Sequence, residues 1–349
     1  MTQTRTVPVA ETRFLVREEG SGPGVPVLLL HGVPETSRMW RDVQPALAAG
    51  RRVLAPDLPG LGGSAYSGPY DVPSVVAQLI ALIEAEFGAD TRVDVVGHDW
   101  GGVIALGLAE IRPNLIRRLC VVNAPYRDIP FLRAAHVPLF ALPAVPELLF
   151  RFGGPRVVEK MIKLAWRAPA PLEPDVCAEY TAAYGDAQQV SAMLGYYRAA
   201  ARPKFAAMLP GAAQPAAAAA TPQIVVDQAL VLWGALDPVL PIATGQSVVR
   251  DLGPACAMIT VPGAGHFVVE EAPEVVLAVL RDFLADQPLT ADQPPTAEQP
   301  PAGAPAGKPL RKAAPRKAPA GTAPAKKAQP ARSLPKTGPA KGAGPSGSA

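Results

Sequence analysis

The sequence has few cysteines and no long apolar run, and both shortages exclude classes of protein. Its 349 residues include only three cysteines. They lie far apart and form no C-x-x-C pair, which argues against a disulfide framework and a zinc site. No uninterrupted apolar stretch reaches the roughly 18 residues of a membrane-spanning helix, and the N-terminus lacks the apolar segment of a signal peptide. We therefore expect a protein of a reducing compartment, the cytoplasm, with no membrane partner.

Charge is distributed unevenly along the chain. Residues 287–349 carry ten Lys/Arg and two Asp/Glu, a net charge of +8, whereas the preceding residues carry a net charge of −5. This tail consists mainly of Pro, Ala, Gly and Lys, and such a segment buries too little apolar surface to offset the entropy of ordering it. We predict that it is disordered. It serves either as a solubilising extension or for weak binding of a polyanion through its spaced lysines.

Outside the tail, short β-rich runs alternate with longer helical patterns, which predicts an α/β protein with a mostly parallel sheet. Continuous apolar runs such as Val27–Leu30 are typical of strands that are covered on both faces. The predicted strands are Arg13–Arg17, Val27–Leu30, Arg52–Ala55, Val93–Val96, Leu119–Val122, Leu230–Trp233 and Ala257–Val261. The predicted helices are Val72–Phe87, Gly101–Glu110, Thr244–Leu252 and Glu274–Leu284.

The alternation stops between about residues 127 and 221, where the chain is helical, punctuated by prolines and rich in aromatic residues. A helical insertion between two strands predicts a lid over the strand ends, where α/β proteins bind their ligands. The predicted organisation is therefore a core in two parts, residues 1–126 and 222–286, a helical lid at 127–221, and the basic tail at 287–349.

Residues 97–101, Gly-His-Asp-Trp-Gly, carry the clearest functional pattern. A predicted strand precedes them and a predicted helix follows, as in the nucleophile elbow G-x-S-x-G, with Asp99 at the position of the serine. The glycines fit because the turn is strained and the strand approaches the helix closely. A carboxylate with an ordinary pKa near ~4 is an anion at pH 7. Asp99 can therefore attack a saturated carbon directly, forming an ester that water must cleave.

Further residues follow predicted strands in the order that this chemistry needs. Asp237 comes after Leu230–Trp233, and His266 lies in a glycine-rich loop after the last predicted strand. His266, oriented by Asp237, removes a proton from water. The backbone N–H groups of Val33 and Trp100 stabilise the oxyanion that forms. This mechanism needs neither a metal nor an organic cofactor.

Three other histidines accompany these residues. We expect His31 and His98 to form structural hydrogen bonds, whereas His136 lies in the predicted lid without an evident partner.

Six strings give the chain a resemblance to the α/β-hydrolase superfamily over about residues 7–286, closest to the epoxide hydrolases and next to the haloalkane dehalogenases. They are HGVPETSRMW (31–40), PDLPGLGGS (56–64), VGHDWGG (96–102), NAPY (123–126), LVLWGALDP (230–238) and GAGHF (263–267). The resemblance implies an α/β-hydrolase fold with an aspartate nucleophile at Asp99, a charge-relay acid at Asp237 and a water-activating histidine at His266.

Epoxide hydrolases are known for two lid tyrosines that hold and protonate the epoxide oxygen. Gly-Tyr-Tyr-Arg at 195–198 resembles the string that contains one of them, which makes Tyr197 the candidate acid. The stretch at 148–152, where the other is expected, has no hydroxyl. Tyr180 and Tyr184 are the remaining candidates for the second position.

Two alternatives to an epoxide hydrolase stay open. A haloalkane dehalogenase uses the same aspartyl ester and needs N–H donors for the halide, for which Trp100 and Trp166 are candidates. A protein of this fold can also bind a ligand without turnover. Esterases and lipases are disfavoured because they need serine at position 99. Fluoroacetate dehalogenases are disfavoured because they place an arginine where Trp100 stands. The expected substrate is a small hydrophobic epoxide or halogenated compound, with water, in a site lined by Trp40, Trp100 and Trp166.

Overall fold

The computed structural model describes residues 2–127, 136–207 and 224–285. The chain divides into two units, residues 1–296 and 297–349. The second unit lies outside the described residues, and the predictions of disorder and polyanion binding at 287–349 concern residues that are not described.

An eight-stranded sheet forms the centre of the first unit, in the order β1-β2-β4-β3-β5-β6-β7-β8. The β1–β2 and β2–β4 pairs are antiparallel, and the remaining neighbours are parallel. The strands are β1 (Gln3–Val9), β2 (Thr12–Glu19), β3 (Gly24–Leu30), β4 (Arg51–Pro56), β5 (Val93–His98), β6 (Ile116–Val122), β7 (Gln228–Gly234) and β8 (Cys256–Val261). The predicted α/β class is confirmed, and each predicted strand lies within an observed one.

Helices cover the sheet and form the insertion. They are α1 (Gln44–Leu47), α2 (Val72–Phe87), α3 (Trp100–Ile111), α4 (His136–Ala141), α5 (Val145–Gly153), α6 (Pro155–Ala165), α7 (Pro174–Ala182), α8 (Ala187–Ala207), α9 (Ile242–Leu252), α10 (Val268–Glu271) and α11 (Pro273–Leu284). Helices α4 to α8 lie between β6 and β7 in the chain. These five helices, residues 136–207, make up the described part of the insertion, and we call them the lid below.

Local signals explain where the elements begin and end. Helix α2 begins after Asp71, whose carboxylate accepts a 3.0 Å hydrogen bond from the Ser74 N–H, and it ends at Gly88 with φ +92°. An aspartate N-cap and a C-terminal glycine at positive φ are preferred helix boundaries.

The described helices include none that is both long and apolar enough to span a bilayer.

The central strands lie in the core. All six residues of β5 are buried, as are the last four of β3 and the last five of β6. Parallel strands that are covered on both faces read as continuous apolar runs, which explains why β3 was predictable from sequence. The carboxyl ends of β3, β5, β6 and β7 meet at one edge of the sheet because these strands are parallel neighbours. The loops that leave this edge carry the candidate site.

Candidate active site

The turn between β5 and α3 presents Asp99 at the sheet edge. Asp99 has φ +48° and ψ −118°, a conformation that a non-glycine residue rarely adopts. A Cβ atom at Gly97 would stand 2.3 Å from the Gly101 carbonyl oxygen, and one at Gly101 would stand 2.3 Å from the Leu30 oxygen. Both glycines are needed because strand and helix approach here without room for a side chain.

Three residues from separate loops meet at this turn. The Nε2 atom of His266 lies 3.5 Å from Asp99 Oδ2, and its Nδ1 lies 2.8 Å from Asp237 Oδ2. Asp237 follows β7, and His266 lies between β8 and α10. The histidine therefore bridges the two carboxylates, as the arrangement predicted from the sequence requires.

Asn123, which sequence reasoning did not single out, holds Asp237 in place. Its Nδ2 donates to Asp237 Oδ2 over 2.6 Å, while its Oδ1 accepts a 3.0 Å hydrogen bond from the Gly234 N–H. The N–H groups of Val239 and Leu240 donate to Asp237 Oδ1 over 2.7 and 3.0 Å. The carboxylate thus has four partners, counting His266. The only signal in the sequence was the NAPY string at 123–126.

The two oxygens of Asp99 have different surroundings. The Val33 N–H donates to Oδ1 over 3.0 Å, whereas Oδ2 is the oxygen nearer His266. Trp100 is the first residue of α3, and N–H groups in the first turn of a helix have no intrahelical acceptor. Both predicted oxyanion donors therefore flank Asp99, and the Val33 N–H already binds its carboxylate.

Neighbouring groups shift the pKa values of the site. Burial alone would raise the pKa of Asp99, but the hydrogen bond and charge of His266, the charge of His98 and the Val33 N–H lower it to about 2. Burial would lower the pKa of His266, yet Asp237 and Asp99 together raise it well above its usual value. Asp99 is accordingly an anion across the physiological pH range, which is the state a nucleophile needs.

The two histidines with predicted structural roles take them. Buried His98 contacts the Glu35 carboxylate through Nδ1 at 2.7 Å and the carbonyl oxygen of His266 through Nε2 at 2.9 Å. His31 accepts a 2.9 Å hydrogen bond from the Leu58 N–H. The prediction of structural hydrogen bonds for both is confirmed, and His98 additionally contacts the backbone of His266.

A cavity with two lobes opens beside Asp99. The lobes provide about 40 and 270 Å³ of space and share Asp99, His136, Tyr197 and Val239 in their walls. Most of the remaining described lining is apolar: Val33, Pro34, Val103, Pro125, Val137, Met161, Leu164, Ala165, Ala200, Pro238, Leu240 and Phe267. A cavity of this size with few polar groups suits a small hydrophobic molecule.

Tyr197 lies in the wall of both lobes, as predicted for a lid acid. The residue is 3 % exposed, and its ring stands edge-on to the Trp100 ring, with centroids 5.1 Å apart. Burial and the Asp99 charge raise the pKa of its hydroxyl, and an interaction with the Trp100 side chain acts in the opposite direction. The hydroxyl therefore keeps its proton at neutral pH and can donate it into the cavity.

Two predicted lining residues lie elsewhere. Trp40 is fully buried in a short 3-10 helix, Ser37–Trp40, with no surface that a substrate can touch. Trp166 packs against Phe267, donates its indole N–H to the Ala170 carbonyl over 2.8 Å, and lines a separate cleft. Of the three tryptophans expected in the cavity wall, only Trp100 lines either lobe. The prediction that Trp40 and Trp166 line it is wrong.

The alternative lid tyrosines do not face the cavity either. The Tyr180 hydroxyl donates to Glu270 Oε1 over 2.9 Å, and the Tyr184 hydroxyl lies 3.4 Å from the Glu35 carbonyl oxygen. Neither residue lines either lobe. Both are ruled out as the second hydroxyl in this arrangement of the lid. His136, for which the sequence suggested no role, lines both lobes instead.

Comparison with known proteins places these observations in a family. The sequence pattern of the Alpha/beta hydrolase family matches residues 27–279. The chain is 28% identical over 286 residues to the AB hydrolase superfamily protein YfhM of Bacillus subtilis, covering 78% of this chain and 94% of that protein. It is 27% identical over 288 residues to the soluble epoxide hydrolase of Corynebacterium sp., covering 76% and 92% of the two chains.

A solved structure gives the same indication. A chain described among novel epoxide hydrolases from metagenomes of hot environments aligns with a TM-score of 0.68 and 27% identity, covering 82% of this chain and 100% of that one.

Proposed function

The chain belongs to the alpha/beta hydrolase family and is a hydrolase, and from that premise we propose that it adds water to an epoxide through a covalent ester on Asp99. The observation that carries the proposal is the placement of Tyr197, a buried proton donor, in the wall of the cavity that also contains Asp99 and His266. An acid is needed there because an opening epoxide develops negative charge on its oxygen.

In the first step, Asp99 Oδ2 attacks one epoxide carbon. The bond from this oxygen to carbon forms while the carbon–oxygen bond of the ring breaks, and its electron pair moves to the ring oxygen. That oxygen takes the proton of the Tyr197 hydroxyl. We assign the attack to Oδ2 because the Val33 N–H already holds Oδ1, which then becomes the carbonyl oxygen of the ester.

In the second step, water cleaves the ester. His266 takes a proton from water as the resulting hydroxide adds to the carbonyl carbon, and the Val33 and Trp100 N–H groups stabilise the charge on Oδ1. The tetrahedral intermediate then expels the diol oxygen, which receives the proton from His266. The Asp99 carboxyl group loses its own proton, and Tyr197 is reprotonated. The sum is epoxide plus water to vicinal diol.

Ester formation also prepares the histidine to act as a base. In the free enzyme, two carboxylates raise the pKa of His266, which favours its protonated form. Once Asp99 is esterified, the charge 3.5 Å from Nε2 is gone. The pKa of His266 then falls, so that the residue becomes available as a base at the stage where a base is required.

The same ester would serve a haloalkane dehalogenase, but the lid favours an epoxide. Trp166 was the candidate second halide donor, and its N–H is already used by Ala170 outside the cavity. A protein that only binds a ligand is disfavoured, because ligand binding alone does not require His266 to lie between the carboxylates of Asp99 and Asp237. Tyr197, in contrast, offers a hydroxyl proton that a departing halide does not need.

The substrate assignment is tested with paired probes. We expect the wild type to hydrolyse small hydrophobic epoxides and to release no halide from matched alkyl bromides. Changing Tyr197 to Phe keeps the ring and removes the donor, and loss of one such donor lowers the rate by about 100-fold to 1,000-fold. Stopped-flow measurement of ester formation checks this. Halide release by the wild type without diol formation would favour the dehalogenase instead.

The two half-reactions should depend on pH in opposite ways. Because the pKa of Asp99 is about 2 and Tyr197 keeps its proton, the rate constant of ester formation should not fall from about pH 8 to about pH 5. Ester hydrolysis needs neutral His266, so its rate constant should rise with pH until the lowered pKa of the ester state is passed. Rapid-quench mass spectrometry of the enzyme measures both. Hydrolysis that speeds up in acid would contradict the base role.

A further inference from the structure

The cavity wall contains a second ring with polar atoms that has no part in the proposed reaction steps. His136 is the first residue of α4 and lines both lobes together with Asp99 and Tyr197. Among the described lining residues, polar side-chain groups belong only to Asp99, His266, Trp100, Tyr197 and His136. The first two act as nucleophile and base, and Trp100 supports Tyr197. His136 is the remaining polar side chain.

The ring of His136 is placed beside the proposed acid. Its centroid lies 5.7 Å from that of Tyr197, with the planes at 83°, so the two rings form adjacent parts of one wall. On its other side it packs edge-on against Phe140 of the same helix, with centroids 5.8 Å apart. Aromatic packing thus fixes the ring, while no hydrogen bond to another described side chain or backbone group engages its nitrogens.

If His136 only packed against its neighbouring rings, its two ring nitrogens would add nothing to that packing. His136 is only partly buried and lines the cavity, so a ligand there can contact its ring, whereas a phenyl ring would fill the same place without offering a polar atom. A ligand oxygen in the cavity would supply the missing partner, because one nitrogen of a neutral imidazole carries a proton that it can donate. The oxygen of an opening epoxide is such an acceptor, since its negative charge strengthens hydrogen bonds as the reaction proceeds.

We propose that His136 is a second hydrogen-bond donor to the epoxide oxygen, acting beside Tyr197 in the lid. This inference rests on the proposed epoxide hydrolase function. Tyr197 remains the residue that gives up its proton, and His136 stabilises the developing alkoxide by hydrogen bonding without transferring a proton. The pair takes the place of the two lid tyrosines expected from the resemblance, although the second donor is an imidazole on α4 instead of a hydroxyl at 148–152.

The charges around His136 define how it responds to pH. Asp99 and His266 face it from the sheet edge, and Tyr197 faces it from α8. Burial lowers its pKa, the Asp99 charge raises it, and the His266 charge lowers it, with a net lowering. On the packed lid helices, Glu147 of α5 and Arg198 of α8 are paired with each other at 2.7 Å. His136 is therefore neutral at pH 7 and gains its proton only in acid.

The test measures ester formation, not turnover, in a His266→Gln background where the ester persists. His136→Phe keeps a ring of similar shape but removes the donor, and we expect about a 10-fold to 100-fold slower reaction with an epoxide, the effect of one hydrogen bond to a charged group. His136→Gln restores N–H groups and should recover part of the rate. The circular dichroism melting curves of the variants control for folding. If His136→Phe forms ester as fast as its parent, the proposal is overturned.

A pH profile separates donation from packing. In a Tyr197→Phe variant, His136 is the remaining ring donor, and an imidazolium donates more strongly than an imidazole. The ester-formation rate of this variant should rise several-fold from about pH 8 to about pH 5. The Tyr197→Phe, His136→Phe double variant should show a flat profile. An identical slope in both variants would contradict the proposal.

These outcomes also distinguish the two proposals. If the wild type forms no ester with a broad panel of epoxides, the proposed function and the role of His136 fall together. If the wild type reacts with epoxides but the His136 variants form ester as fast as their parent, the proposed function stands and the role of His136 as second donor is overturned.

Discussion

Replacing His266 with Gln should stop turnover and leave the protein covalently modified. The imidazole is the only described base in contact with Asp99, with Nε2 at 3.5 Å from Oδ2. Asp99 does not need that base to attack, because its pKa of about 2 keeps it ionised. Ester formation should therefore continue while hydrolysis slows by about 1,000-fold or more, since general-base catalysis contributes about 100-fold to 10,000-fold. The ester then accumulates.

Intact-mass spectrometry reads this outcome directly. An epoxide adds its whole mass to the chain, whereas an alkyl halide adds its mass less that of the hydrogen halide, so the mass also identifies the reaction class. Peptide mapping should place the adduct on Asp99. The matched control is the Asp99→Asn, His266→Gln double variant, which keeps the shape of the site and should take up no mass. An adduct in that control would show that another residue reacts, and the ester mechanism would be wrong.

The meeting of the three proposed catalytic residues was predictable from the sequence because their positions depend on the sheet. Asp99, Asp237 and His266 each follow a strand, and the carboxyl ends of parallel neighbours meet at one edge whatever the details of the loops. The elbow glycines were equally informative, since a turn with φ +48° at Asp99 leaves no space for side chains nearby. These inferences needed only element order and local geometry.

Apart from Tyr197, which the resemblance to epoxide hydrolases indicated, the lid residues that line the cavity were not predictable in the same way. Which face of a lid helix turns toward the cavity depends on packing between helices, and the sequence around 136–207 gives no register for that packing. The structure therefore differs from the expectation at two lid residues. His136, for which no role was expected, lines the cavity, whereas Tyr184, a candidate second hydroxyl, lies against the Glu35 carbonyl oxygen. The position of Trp40 was not predictable for a similar reason. A residue close to the site in sequence can point into the core, and Trp40 is fully buried there.

Strand β1 (Gln3–Val9) was missed for a different reason. It is an edge strand that pairs only with β2, and Val7 is its one buried residue. Its polar residues and Pro8 weaken the apolar alternation that identifies a strand, although proline is tolerated at a sheet edge. An element that buries little surface leaves little pattern in the sequence.

Replacing Gly101 with Ala should destabilise the fold more than any single change of a surface residue. The new Cβ would stand 2.3 Å from the Leu30 oxygen and 2.6 Å from the His31 oxygen, both of them backbone atoms of the neighbouring strand end. Backbone atoms of a central strand cannot rotate away as a side chain can, so α3 must shift from the sheet. We expect a loss of about 3 kcal/mol or more in the free energy of unfolding, measured by urea denaturation. Asp99 would shift with the helix, so any folded fraction should form ester slowly.

Gly107 on the same helix provides the matched control. A Cβ there would stand 2.3 Å from Cγ1 of Val72, a side-chain atom at the start of α2 and not a strand backbone. Alanine is also favoured over glycine in a helix by up to about 1 kcal/mol, which partly offsets the contact. Gly107→Ala should therefore lose less stability than Gly101→Ala and keep its rate of ester formation. Equal losses in both variants would mean that helix packing in general, and not the close approach beneath Asp99, sets the requirement for glycine.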